Sequence, residues 1–272
     1  MGGYAVEAAL DRNYPIEYFR GRAVDGTTVF LTRLDPQTAE WEAPDMFLDS
    51  IEPLTRLRHP NLVHLLRVNR SIRETFLVHE YVDGLAANRT APLDRDLVAW
   101  IIAEACAGLS ALHALGLAHR SLTPEKLLLA RTGAIKVTDT RWAQLLASRR
   151  LGSGVLRRHQ YAYFAPEQCL GKPVDRRADI WALGVILYEL VTFKPLFHRD
   201  SEFGTLEAIA KQPLPPLDPT MAPALEAIVH TALERDPNDR YESALEMRDA
   251  LLALIGDEDR SADVAAAIAR FG

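Results

Sequence analysis

Cysteine is scarce in this chain. Cys106 and Cys169 are the only two, and their separation matches none of the close pairs that metal sites use, so a disulfide framework and a Cys-ligated metal are both excluded. Two reduced thiols fit a cytoplasmic compartment. A basic excess is also lacking: Lys and Arg number 31 against 37 Asp and Glu, for a formal charge of −6, which argues against a general binder of nucleic acid or anionic membranes. No charged-then-apolar leader opens the sequence. The longest nearly apolar run, Ile180 to Val191, is too short to span a bilayer and contains Glu189, so a cytoplasmic location is expected, and if the domain is tethered to a membrane the anchor lies outside these residues. Repeats at solenoid spacing and low-complexity tracts are absent too. What remains is the ordinary balance of a globule, 48% hydrophobic and 25% charged in 272 residues, enough for a sizeable core.

The first eighty residues favour short β-rich runs separated by turn residues such as Asp25-Gly26: Ile16 to Gly21, Thr27 to Leu34, Val63 to Val68 and Thr75 to Tyr81. They predict an antiparallel sheet. After Gly84 the period changes, and Leu97, Ile101, Ala105, Leu109 and Leu112 fall on one helical face, with Asp94 or Asp96 suited to the helix start. Ile180 to Val191 is apolar nearly all round, the pattern of a helix buried at a domain centre. Two amphipathic helices follow, at about Ala224 to Leu233 and Ser243 to Leu254. An acidic break then precedes a short segment in which Ser261 could cap a helix carrying Val264, Ile268 and Phe271 on one face. The pattern predicts an α+β chain in three parts: a small sheet lobe over 1–83, a larger helical lobe over 84–255, and the break with its C-terminal helix over 256–272.

Several motifs then resemble those of bacterial Ser/Thr protein kinases, in that family's order from about Tyr4 to Ile255. Arg58-His59-Pro60-Asn61-Leu62-Val63 is similar to the segment after the αC helix, and Phe76 through Gly84 to the fifth strand and hinge. Ala165-Pro166-Glu167 matches the end of the activation segment, Asp179 through Gly184 resembles the start of the central helix, and Asp236-Pro237 through Arg240 resembles the segment with the late Arg. The resemblance implies a bilobal kinase-like fold, a structural ion pair between Glu167 and Arg240, and structural roles for Asp179 and His119.

The same resemblance locates departures where phosphate, metal and protons are handled. His119 through Lys126 resembles the catalytic loop H-R-D-L-K-P-E-N, with Ser121 where the family has the Asp that accepts the proton and Lys126 where it has the metal-binding Asn. The glycine positions of the phosphate loop fall on Asp11, Asn13 and Ile16. The strand-three Lys is replaced by Thr32, and its αC partner Glu by Ser50. Phe30 stands where a small residue roofs the adenine, and its ring is expected to fill volume the base requires, so that ATP is not bound normally. Asp139-Thr140-Arg141 replaces D-F-G, leaving Asp139 as the retained carboxylate, expected to pair with Lys126 or Arg141. Pro53 is expected to break the αC helix near Glu52.

These substitutions lead to the expectation of a catalytically inactive pseudokinase: no enzyme, no cofactor, no metal, and a role as a protein-binding scaffold or allosteric regulator. Arg149, Arg150, Arg157 and Arg158 then become candidates for docking an acidic or phosphorylated protein partner, such as an active Ser/Thr kinase. The alternative is a nucleotide-binding sensor, or a kinase with unorthodox residual phosphotransfer that uses Arg20 or Arg22 for phosphate and Asp139 for metal.

Overall fold

The computed structural model describes residues 2–13, 16–34, 44–70, 75–90, 92–138, 158–217 and 223–271. They form two compact units: the first draws on the described residues up to His59 and from Val63 to Asp83, the second on Pro60–Leu62 and the described residues from Gly84 onward. Together they give the α+β, sheet-then-helices fold class that the sequence predicts.

The first unit is a five-stranded antiparallel sheet: β1 (Ala5–Asn13), β2 (Ile16–Arg22), β3 (Thr28–Leu34), β4 (Leu65–Arg70) and β5 (Thr75–Glu80). Its spatial order is β1-β2-β3-β5-β4. The β1 strand was not legible as β-rich, because Ala5 to Asn13 mixes alanines with charges. It is completed by its pairing with β2, which carries register irregularities between Val6 and Ala8 and between Ala9 and Asp11. Period-two alternation sends Val29, Leu31, Phe76 and Val78 to one apolar cluster, flanked by Tyr4 and Phe19. Helix α1 (Pro44–Ile51) passes directly into a 3-10 turn at Glu52–Arg56. Pro53 has no N–H to continue the α ladder, so the helix changes type where the sequence places a break. Leu48, Ile51 and Leu54 are buried.

The second unit holds a three-stranded sheet of β6 (Gly84–Ala86), β7 (Leu127–Ala130) and β8 (Ile135–Val137). Its helices are α2 (Arg95–His113), α3 (Pro166–Cys169), α4 (Arg177–Thr192), α5 (Glu202–Lys211), α6 (Pro223–Ala232), α7 (Ala244–Ile255) and α8 (Ser261–Ala269). Asp94 caps α2 by accepting from the N–H groups of Asp96 and Leu97, at 2.9 and 3.4 Å. By length and composition α2 is apolar enough to cross a membrane, a property the sequence reading assigned to no segment. With 67% of that window buried inside the unit, it has the character of a core helix. Gly108 lets α2 pass close to the backbone of Asn61, where a Cβ would lie 2.5 Å from the carbonyl oxygen. Helix α4 is buried continuously from Ala178 to Tyr188 and packs on α2, α6 and α7. The C-terminal helix α8 folds back onto β7 with Val264 and Ile268 fully buried. At its entry Gly133 (φ +89°) admits the Ser261 carbonyl, which a Cβ would meet at 2.0 Å.

Candidate active site

The catalytic-loop segment hangs on one buried carboxylate. Asp179, at the start of α4 and 0% exposed, accepts the backbone N–H of His119 at 2.8 Å and of Arg120 at 2.7 Å, and meets His113 Nε2 at 2.8 Å. Arg120 lies in the left-handed region at φ +62°, a conformation that costs a non-glycine residue about 1–3 kcal/mol and persists only where its surroundings fix it. Here they do. Gln168 Nε2 donates to the Arg120 carbonyl at 2.9 Å, and the Arg120 guanidinium donates to the Val174 carbonyl at 2.8 Å.

His119 is fully buried, and its Nε2 lies 2.8 Å from the Thr138 carbonyl. A carbonyl only accepts, so Nε2 carries the hydrogen. Burial, and secondarily the charge of Lys126, push the imidazole down to about 4, so the ring is neutral at physiological pH. Its Nδ1 is then an acceptor, taking the Ser121 N–H at 3.4 Å and facing Ser121 Oγ at 3.5 Å. From the other side Lys126, at the end of the 3-10 turn Pro124–Lys126, donates through Nζ to the Ser121 carbonyl at 2.7 Å and to Ser121 Oγ at 2.8 Å. Both residues are buried, Ser121 at 7% and Lys126 at 9% exposure. The loop thus brings a hydroxyl, a neutral imidazole acceptor and a cationic donor to one point. The pairing of Ser121 with Lys126 was missed from the sequence, because it depends on the left-handed turn at Arg120. Thr123 is also buried, and its hydroxyl has no hydrogen-bond partner among the described residues.

A second buried pair fastens the unit. Arg240 grips Glu167 through two parallel hydrogen bonds of 2.8 Å each, in the fork geometry that makes such pairs strong. Its Nε donates to the Glu234 carbonyl at 2.7 Å. Its guanidinium also lies 5.1 Å from the centre of the Trp181 ring, which stacks on Phe197.

In the sheet unit, Phe30 and Thr32 share the face of β3 opposite the Val29 and Leu31 cluster. Phe30 is half-buried, with its ring centroid 5.7 Å from that of Tyr18 and 6.2 Å from that of His79. Thr32 is 0% exposed, and its hydroxyl has no hydrogen-bond partner among the described residues. His79, which sequence reasoning did not single out, pairs across from Phe30, and burial pushes its imidazole down to about 4. Arg33 turns to the other face, donating to Glu17 at 2.7 Å with its guanidinium over Phe19. Arg20 and Arg22 are both engaged by Glu7, at 3.3 and 2.6 Å. Glu52 meets Arg70 on the surface at 3.4 Å. Ser50 lies in α1, and Asp11 and Asn13 lie in β1 opposite Tyr18 and Ile16, of which Ile16 is buried. Asp139, Thr140, Arg141, Arg149, Arg150 and Arg157 lie outside the described residues; Arg158 opens a 3-10 turn, Arg158–Tyr163, without a described side chain.

Comparison with known proteins adds the decisive observation: residues 22–251 match the protein kinase domain. The chain belongs to the bacterial Ser/Thr protein kinase-like family. This kinase domain is 33% identical over 219 residues to the Myxococcus xanthus serine/threonine-protein kinase Pkn1, covering 74% of this chain and 31% of that protein. It is 33% identical over 235 residues to the tyrosine-protein kinase MasK of the same species, covering 78% and 36%. Against PknB of Mycolicibacterium smegmatis it is 34% identical over 188 residues, covering 65% and 30%. The chain therefore spans about a third of the length of the relatives it matches. These matches correct the expectation, drawn from the loop substitutions, that the chain is not an enzyme. The matched proteins are named as kinases, and the match points to a kinase enzyme.

Proposed function

We propose that this domain is a protein kinase that transfers the terminal phosphoryl group of a nucleoside triphosphate to a protein hydroxyl through an altered catalytic loop. The observation that carries the reading is the buried contact of Lys126 Nζ with the Ser121 carbonyl and Oγ, at 2.7 and 2.8 Å. It sits on a loop still held by Asp179 and by the His119 bond to Thr138.

Phosphoryl transfer passes through a loose transition state whose charge spreads over the phosphoryl oxygens, so catalysis is mainly positioning and electrostatic stabilisation. A cation fixed in a dry site serves that purpose. Lys126 supplies one, and the loop's hydrogen bonds set its position before substrate arrives. The carboxylate base that Ser121 replaces contributes about 10²–10⁴ in rate, so a slow kinase is the expected result. The magnesium that family members hold at the Asn position does not fit here. An ammonium has three donors and no acceptor, whereas that ion takes oxygen ligands. Ser121 and Lys126 therefore act through hydrogen bonding and charge.

The ring of Phe30 leans on Tyr18 and His79 of its own sheet, so nucleotide binding is tested directly. Incubation with ATP labelled in its terminal phosphate, with magnesium and a basic protein acceptor present, is expected to label protein, and ATP is expected to raise the melting temperature. No label and no shift would contradict the reading.

A further inference from the structure

We propose that Ser121 is itself a phosphoryl acceptor, so that this domain forms a phosphoserine within its own catalytic loop. The inference deepens the kinase reading and rests on it, since a nucleoside triphosphate must supply the phosphate.

An activated serine needs a base within reach of its hydroxyl, a third group that orients that base, and a cation or donor for developing charge. His119 and Lys126 meet Ser121 itself, and the Thr138 carbonyl orients His119. His119 Nδ1 faces Ser121 Oγ at 3.5 Å, within the looser range such contacts show before substrate is bound. The Thr138 carbonyl, 2.8 Å from Nε2, fixes the tautomer in which Nδ1 holds a lone pair. The Ser121 N–H directed at the same nitrogen, at 3.4 Å, requires that lone pair too. Lys126 Nζ, 2.8 Å from Oγ, uses one of its own hydrogens for this contact, which leaves the serine proton free to turn toward His119.

In the step, Ser121 Oγ attacks the terminal phosphorus as its O–H proton passes to His119 Nδ1. The Oγ–P bond forms, the P–O bond to the nucleoside diphosphate breaks, and the diphosphate leaves with the bonding pair. The product carries close to two negative charges and three acceptor oxygens. Lys126 lies beside it, and the buried Thr123 hydroxyl, without a partner among the described residues, is a further donor in the same loop.

The test incubates the unmodified chain with magnesium and ATP, adds a basic protein as external acceptor, and maps phosphate by peptide mass spectrometry while melting curves report nucleotide binding. One phosphate on the peptide containing Ser121, lost to background in Ser121→Ala, is the expected result. Mapping on the unmodified chain keeps the test decisive even if the variant folds poorly. Phosphate on the added acceptor with none on Ser121 overturns this inference and leaves the kinase reading standing. No phosphate anywhere together with no melting shift overturns both.

Discussion

At the residue scale the account turns on what Ser121 and Lys126 do together. Restoring the family's residue types in the double variant Ser121→Asp with Lys126→Asn is expected to raise the transfer rate by about 10²–10⁴, the usual worth of a positioned base. Initial-rate measurement checks this; an unchanged or lower rate would show that the substituted loop is not what limits turnover. The buried histidines make a separate prediction. An unfolded histidine takes a proton near 6.5, whereas His79 and His119 do so only near 4 in the folded chain. Between those values the unfolded chain holds more protons, so stability is intact above about 6.5 and is lost as pH falls toward 4, by on the order of 3 kcal/mol for each residue. His79→Leu is expected to flatten that fall by roughly half, as read from urea unfolding across this pH range.

At the element scale, periodicity made the fold legible where one physical demand dominates. Helix α4 is apolar nearly all round and buried from Ala178 to Tyr188, and Leu97, Ile101, Ala105, Leu109 and Leu112 are buried in α2. Pro53 marked the change of helix type after Ile51 because a missing N–H acts locally. The β1 strand escaped notice because its stability comes from pairing with β2 rather than from its own side chains. The contact between Ser121 and Lys126 escaped for a similar reason: it exists only because Asp179, sixty residues along from His119, holds Arg120 in a conformation no local pattern encodes. Capping, by contrast, is local enough to test singly. Asp94→Ala is expected to remove two N–H contacts at the start of α2 and to lower stability by about 1 kcal/mol in denaturant unfolding.

At the scale of the whole molecule, family motifs identify residues whose spacing along the chain gives no hint of contact. Glu167 and Arg240, 73 positions apart, join in one buried bidentate pair. Removing one partner leaves the other buried and uncompensated, so Glu167→Ala is expected to cost about 3–5 kcal/mol, seen as a lower urea midpoint. The motifs read less well for activity. They located the substituted positions, but a list of missing groups does not contain the buried ammonium that the folded loop supplies, and the match to kinases reversed the conclusion drawn from that list. The most direct test of the account is the initial rate of phosphate transfer from labelled ATP to a protein acceptor by the unmodified domain and by Lys126→Ala. The account predicts slow but measurable transfer that falls at least tenfold in the variant; equal rates in the two proteins, or none in either, would contradict it.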